Sequence, residues 1–181
     1  MTDAAARYRR LAERFTAVVD DVPDDAWGAP SPCEGWTARQ VLDHVVESQH
    51  GFLARFDLAP ELTGDDPRAR WATMRDAMLA AVDDPATAST EYDGMFGPTT
   101  LAETVDGFMS ADLVVHAWDI ARATGLEQHE AMPPEEVERL DAQLRGMGDA
   151  IRSPGAFGPE VPVPEDAPHQ HRFLGFIGRQ P

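Results

Sequence analysis

The sequence predicts an all-α fold, a bundle built from four or five amphipathic helices. Apolar residues recur at three- and four-residue spacing in successive segments, which is the pattern of helices with one buried face. Helix-start signals and proline or glycine breakers separate these segments, and no series of alternating segments typical of strands appears. The 181 residues suffice to bury a core. We therefore expect one domain over residues 1–181, with residues 153–181 as a tail that packs on the bundle.

The first two predicted helices have clear boundaries. The first runs from Ala4 to Asp20 and ends before Pro23. The second begins at Thr37, which forms a capping box with Gln40, the residue three positions later. Pro60 bounds its end. The apolar stripe along each segment indicates that both helices bury one face.

A third helix is predicted from Asp66-Pro67 to about Val82, because a cap residue followed by proline is typical of a helix start. Residues 83–98 are less regular. They contain the turn signals Asp93-Gly94 and Gly97-Pro98. A short strand and an extended strap both remain open for this segment.

The fourth predicted helix starts at the capping box of Thr100 and Glu103 and ends at Gly125. A fifth spans residues 133 to about 151. A loop rich in proline and glycine follows it, and residues 169–178 can form a last short helix. The predicted architecture is thus a helical bundle with an additional C-terminal helix and an irregular tail.

The composition excludes some classes of binding partner and indicates the cellular compartment of the protein. Fifteen basic against 32 acidic residues give a formal net charge of -17, so we expect neither nucleic acid nor a membrane as a partner. No apolar run is long enough to span a bilayer, and residues 1–14 lack the apolar stretch of a secretion signal. A cytoplasmic protein is expected. The only cysteine, Cys33, excludes an intrachain disulfide and a multi-cysteine zinc site, and is expected to be a small packing residue.

The fourth predicted helix carries the most unusual polar pair. Asp112 and His116 are four residues apart and so lie one turn apart on one face, which the apolar Val105 and Phe108 share. A carboxylate buried on such a face needs a counter-ion, hydrogen bonds or a metal. His44, at the edge of the apolar arc of the second helix, can supply a third ligand. Two imidazoles and one carboxylate suit zinc, and also nickel, iron or manganese.

Spacing alone leaves other interpretations of this pair open. Asp112 and His116 can hydrogen-bond each other, Asp112 can pair with an arginine, and His44 can be a structural histidine. Asp119 is either a partner that orients an imidazole or a surface acid paired with Arg122 or Arg39. The remaining histidines are expected to be solvated or locally bonded: His50, His129, His169 and His171.

Two separated motifs and the C-terminus carry a family resemblance. Residues 32–45 (PCEGWTARQVLDHV) resemble the second-helix signature of the DinB-like superfamily, in the branch with the N-terminal domain of mycothiol-dependent maleylpyruvate isomerase. Residues 112–125 (DLVVHAWDIARATG) resemble the fourth-helix signature of this actinobacterial branch. Residues 173–181 (FLGFIGRQP) resemble its usual C-terminus.

The resemblance implies a DinB-like four-helix bundle in which His44, Asp112 and His116 bind a divalent metal, zinc being favoured. The isomerase has a glutamate where this chain has Asp112, which is one methylene shorter. It also has a second, C-terminal domain that contributes to catalysis, and we expect this chain to lack that domain. With that domain absent, the resemblance supports a metal site rather than isomerisation in particular.

The family further implies a transferase or isomerase that uses a low-molecular-weight thiol, such as mycothiol, on a small electrophile. Two alternatives stay open. One is a bundle that binds a metal or ligand without catalysis and that can form a homodimer. The other is a metal-dependent hydrolase in which water is the nucleophile.

Overall fold

Helices make up most of the chain over residues 2–152 and 157–181, the residues that the computed structural model describes. A short β hairpin interrupts them. In chain order the elements are α1 (Asp3–Asp21), α2 (Ala38–Ala54), α3 (Pro67–Asp83), α4 (Pro85–Ala88), β1 (Glu91–Gly94), β2 (Gly97–Thr100), α5 (Leu101–Thr104), a π turn (Val105–Met109), α6 (Ser110–Thr124), a 3₁₀ turn (Glu127–His129), α7 (Pro134–Gly146), a second 3₁₀ turn (Gly148–Arg152) and α8 (His169–Phe176). The predicted all-α class is confirmed.

Four long helices form the bundle. α1 packs against α3 and α6, and α2 packs against the same two helices. The rings of Phe15 and Trp71 meet edge to face with centroids 4.7 Å apart, and the Trp71 indole N–H donates to the Thr16 hydroxyl at 2.9 Å. Buried apolar side chains from all four helices make one continuous core, which places facing residues of α2 and α6 next to each other.

The predicted helix starts are confirmed by their cap geometry. Thr37 and Gln40 form a reciprocal capping box at the start of α2, and Thr100 and Glu103 form another at α5. Gly125 ends α6 with a φ of 72°, in the left-handed region that glycine adopts without strain.

The predicted fourth helix is one helical run that contains a π turn. Spacing placed Phe108 on the same buried stripe as Val105, and this prediction is wrong for Phe108, which is 40% exposed. The π turn lies between α5 and α6 and adds a residue to the local turn, which rotates the following side chains. Arg7 of α1 pairs with Asp106 in this turn at 3.1 Å.

The segment left open between the third and fourth helices contains an antiparallel hairpin. β1 pairs with β2 from Glu91 opposite Thr100 to Gly94 opposite Gly97. The two residues at its tip, Met95 and Phe96, are 87% and 64% exposed. The hairpin therefore presents apolar side chains to solvent beside the bundle.

The C-terminal segment returns to the bundle. Predicted helix five corresponds to α7 plus the second 3₁₀ turn. Residues 153–156, where the tail was predicted to begin, lie outside the described residues. Phe173, Leu174 and Ile177 are fully buried in the core. Val161 N–H donates to Gly175 O at 2.9 Å. This packing carries Arg179 into the interior.

Candidate metal centre

His44, Asp112 and His116 meet between α2 and α6. Each of the three offers one ligand atom, and these atoms lie within 4.8 Å of one another. His44 Nε2 is 4.0 Å from Asp112 Oδ2, and the two imidazole rings are nearly perpendicular with centroids 5.2 Å apart. The bundle thus brings His44 together with two side chains that lie 68 and 72 positions later in the sequence.

The three side chains differ in burial. His44 and Asp112 are 38% and 35% exposed, whereas His116 is buried. Asp112 was predicted to lie buried on an apolar face, and this prediction is wrong because about a third of its side chain is exposed. The cluster has a buried side at His116 and an open side where a small molecule can approach.

Asp119 is the carboxylate that is fully buried, and it holds His116 in place. Asp119 Oδ2 accepts a hydrogen bond from His116 Nδ1 at 2.9 Å. Arg179 donates to both oxygens of Asp119, at 2.8 and 3.0 Å. Since Nδ1 of His116 is engaged, Nε2 is the nitrogen left for a metal. A carboxylate that binds the second nitrogen of a histidine ligand is common in metalloproteins.

Of the two interpretations left open for Asp119, the structure agrees with the partner that orients an imidazole and not with a surface acid paired with Arg122 or Arg39. Arg122 pairs with Glu130 at 3.2 Å, and Arg39 pairs with Asp43 at 2.9 Å. The cation that neutralises Asp119 comes instead from the C-terminal segment.

Cys33 completes the buried polar group behind His116. Its thiol donates to Asp119 Oδ2 at 3.2 Å, and its sulfur accepts from Arg179 Nη2 at 3.0 Å. Cys33, His116 and Asp119 also lie close enough to hold a metal. However, the guanidinium of Arg179 already supplies the positive charge that Asp119 needs. We therefore assign this second group to the support of His116.

The pKa values follow from these contacts. Burial lowers the pKa of His116, but its hydrogen bonds to Asp119 and Cys33 and the charges of Asp119 and Asp112 together outweigh burial and raise the pKa to about 10. Burial raises the pKa of Asp119, yet its bonds to His116 and Arg179 bring it to about 2. Burial and the nearby His116 lower the pKa of His44. His44 is therefore neutral at pH 7, whereas a metal must displace a proton from His116.

The four other histidines, which were predicted to be solvated or locally bonded, lie outside the cluster; three of them have a bonded partner, and His171 is exposed. His50 Nε2 is 3.1 Å from Pro60 O. The remaining pairs are His129 with Asp21 and His169 with Asp141.

Cys33 and Arg179 were not predicted as parts of the centre. The buried Asp119 required a cation, but sequence spacing cannot identify a partner 60 residues away. Trp36 was also missed, and its ring centroid is 5.0 Å from that of His44.

The bundle and its polar cluster define the class as a DinB-like helical protein. The chain belongs to the family described as the mycothiol maleylpyruvate isomerase N-terminal domain, whose model matches residues 8–121. Uncharacterized proteins from two Mycobacterium tuberculosis strains, CDC 1551 and H37Rv, are similar along 98% of this chain and 98% of their own, at 31% identity.

A shorter similarity links the chain to a Bacillus cereus protein named "Putative metal-dependent hydrolase". The two are 33% identical over 75 residues, which are 38% of this chain and 42% of the relative. No solved structure matches the chain. No helix among the described residues is long and apolar enough to cross a membrane. Together the family and this relative support a DinB-like metal-binding protein.

Proposed function

We propose that His44, Asp112 and His116 bind a divalent metal ion and that the protein uses it to transfer a small thiol, such as mycothiol, to a small electrophile. The reaction would be that of a transferase or an isomerase. The observation that carries the proposal is the convergence of three donor atoms within 4.8 Å beside an imidazole whose second nitrogen is already bonded to a buried carboxylate.

The donor set fits a divalent metal. Two imidazoles and one carboxylate leave at least one position open, as in catalytic zinc sites. Neighbouring ligands around zinc at about 2.1 Å are roughly 3.4 Å apart, so modest rotations of the two exposed side chains would bring the donors into range. The same set accepts nickel, iron or manganese. Zinc is our proposed metal because its four-coordinate sites commonly have three protein ligands of these types.

The residues around the centre have distinct roles in this proposal. A bound divalent metal would lower the pKa of a thiol or a water at its open position, and would so provide a nucleophile at neutral pH. Asp119 holds His116 in one tautomer and orientation. His44 and Asp112 line the solvent side, where substrate enters, and Trp36 lies against His44 and limits access on that side. No protein nucleophile is required.

Metal-dependent hydrolysis is the second candidate, and the name of the Bacillus cereus relative favours it. In that reaction water takes the place of the thiol as nucleophile. The ligand set is the same for both reactions, so the thiol requirement separates them.

The test is an assay of the metal-loaded protein on electrophiles such as maleylpyruvate and chlorodinitrobenzene, with and without mycothiol. Products are separated by liquid chromatography and identified by retention time and mass, because an isomer has the same mass as its substrate. We expect turnover that requires mycothiol, falls at least about 100-fold in His116→Ala and is unchanged in His171→Ala, a substitution at an exposed position. Thiol-independent hydrolysis would reject the transferase in favour of the second candidate. A metal-loaded protein with no turnover on any electrophile would reject catalysis.

A further inference from the structure

A cavity of about 550 Å³ lies between α2, the π turn and the β1–β2 hairpin. On one side it is lined by Ser48 and Gly51 of α2 and by Arg55, the residue that caps the C-terminus of α2; they follow His44 by four, seven and eleven residues. These spacings place all four residues on one face of the helix. Arg55 is about 16 Å from His44 along the helix axis. The cavity therefore lies along the face of α2 that carries His44.

The opposite wall leads to the same centre. Phe108 and Met109 line the cavity from the π turn and precede Asp112 by four and three residues. The cavity thus lies about one helical turn from Asp112 on this side. On both walls, the cavity is thus lined by residues that lie about one helical turn from a candidate ligand, Ser48 from His44 and Phe108 from Asp112.

The lining of the cavity is mostly apolar. Its lining includes the buried Phe52, the partly buried Tyr92, and the exposed Met95 and Phe96 of the hairpin tip. Phe96 stacks on Phe108 with centroids 6.0 Å apart and planes 16° apart. Exposed apolar side chains grouped around a cavity are typical of a ligand-binding site.

Gly51 keeps the α2 wall open. Glycine inside a helix is destabilising by about 1 kcal/mol relative to alanine. Packing does not require it here, because no heavy atom lies within 4 Å of the place where a Cβ would be. The missing side chain instead leaves free space next to Ser48 and Phe52.

Arg55 places a positive charge at the far end of the cavity. Its guanidinium lies 4.7 Å from the centroid of the Tyr92 ring and donates to Asp93 O at 3.2 Å. Within the part of the chain that the structure describes, no carboxylate forms an ion pair with Arg55. The acid that lines the cavity, Glu103, is already bonded to Thr99 and Thr100. Arg55 is thus available to an anionic ligand.

We propose that this cavity binds an elongated organic anion with an aromatic or alkyl body, whose acidic group pairs with Arg55 and whose other end points to His44 and Asp112. The assignment of this ligand class as the substrate rests on the proposed function. Binding itself depends on the cavity and does not require the metal.

Two fluorescent probes with the same aromatic body test the proposal on the full chain. Anilinonaphthalene sulfonate is anionic, and phenylnaphthylamine is neutral. We expect Arg55→Gln to lower the affinity for the anionic probe by about 10-fold and to leave the affinity for the neutral probe unchanged. Gly51→Leu should lower the affinity for both probes at least about 10-fold. The affinities of Gly51→Ala should lie between those of Gly51→Leu and the wild type. Arg10→Gln, at an exposed arginine of α1 outside the cavity lining, should bind both probes as the wild type does.

Near-UV circular dichroism of each variant checks that its packing is intact. Wild-type binding of both probes by Gly51→Leu would overturn the cavity as their site. Equal binding of the anionic probe by Arg55→Gln and the wild type would overturn the role of the charge, and so would equal weakening of both probes.

Metal content and probe binding, measured on both His116→Ala and the wild type, distinguish failure of this proposal from failure of the proposed function. If the variant and the wild type both lack metal but bind the anionic probe with Arg55-dependent affinity, the metal site fails and the cavity proposal stands. If the wild type binds metal but neither probe, the cavity proposal fails and the metal site stands.

Discussion

At the residue scale, the position of His116 depends on buried polar groups from three parts of the chain. Asp119 bonds to its Nδ1, Arg179 neutralises Asp119, and Cys33 bonds to both of these supporting residues. An unpaired carboxylate at the position of Asp119 would be costly, because the residue has no exposure to solvent. The pairing therefore stabilises the fold and also presents Nε2 of His116 to the open side.

Replacement of Asp119 by asparagine tests its effect on metal binding. Asp119→Asn keeps the size of the side chain but removes the charge that orients His116. We expect zinc affinity to fall about 10- to 100-fold, measured by competition with a chromogenic chelator. Asp76→Asn, at an exposed acid of α3, is the matched control. Equal affinities for the two variants would contradict the role of Asp119.

The low pKa of Asp119 predicts a pH-dependent contribution to stability. Its folded pKa of about 2 lies below the reference value of 3.8, so the contribution is present above about pH 4 and is lost as the pH falls towards 2. The shift corresponds to about 2 kcal/mol. Urea unfolding of the metal-free wild type and Asp119→Asn should therefore show a difference in free energy that shrinks between pH 5 and about 3. A difference that stays constant over this range would argue against the ion pair.

At the scale of the elements, local signals predicted the helix boundaries, and long-range contacts determined the rest. Capping boxes at Thr37 and Thr100 marked the starts of α2 and α5 because their hydrogen bonds join residues three positions apart. The π turn is not encoded by spacing. It contains Asp106, which pairs with Arg7 of α1, 99 positions away. A short strand and an extended strap both remained open for residues 83–98, because this segment lacks a clear alternating pattern.

The close approach of α8 to the preceding segment gives a prediction about stability. A Cβ at Gly175 would lie 2.4 Å from Val163 Cγ2 and 2.7 Å from Val161 O. We expect Gly175→Ala to lower the free energy of unfolding by about 1–3 kcal/mol, measured by urea unfolding.

Gly146→Ala is the control for this substitution, since nothing lies within 4 Å of the corresponding Cβ. This change at the end of α7 should leave the free energy of unfolding at the wild-type value or raise it slightly. If the two variants were equally stable, the packing of α8 described above would be wrong.

At the scale of the whole molecule, the sequence predicted the all-α bundle because each helix has its own apolar stripe and caps. The triad of His44, Asp112 and His116 was favoured by the resemblance, since spacing alone left a self-paired Asp112 and His116 open. Arg179 could not be assigned to Asp119 because that contact exists only once the C-terminal segment packs on the bundle. One domain over residues 1–181, a cytoplasmic location and a homodimer stay predictions.

Metal content tests the central claim most directly. The wild type, His44→Ala, His116→Ala and His171→Ala are incubated with zinc, dialysed and measured by elemental mass spectrometry, with circular dichroism as a check of folding. We expect near-stoichiometric zinc in the wild type and in His171→Ala, and almost none in the other two variants. Equal zinc in the wild type and His116→Ala, or none in any protein, would contradict a metal centre at these residues.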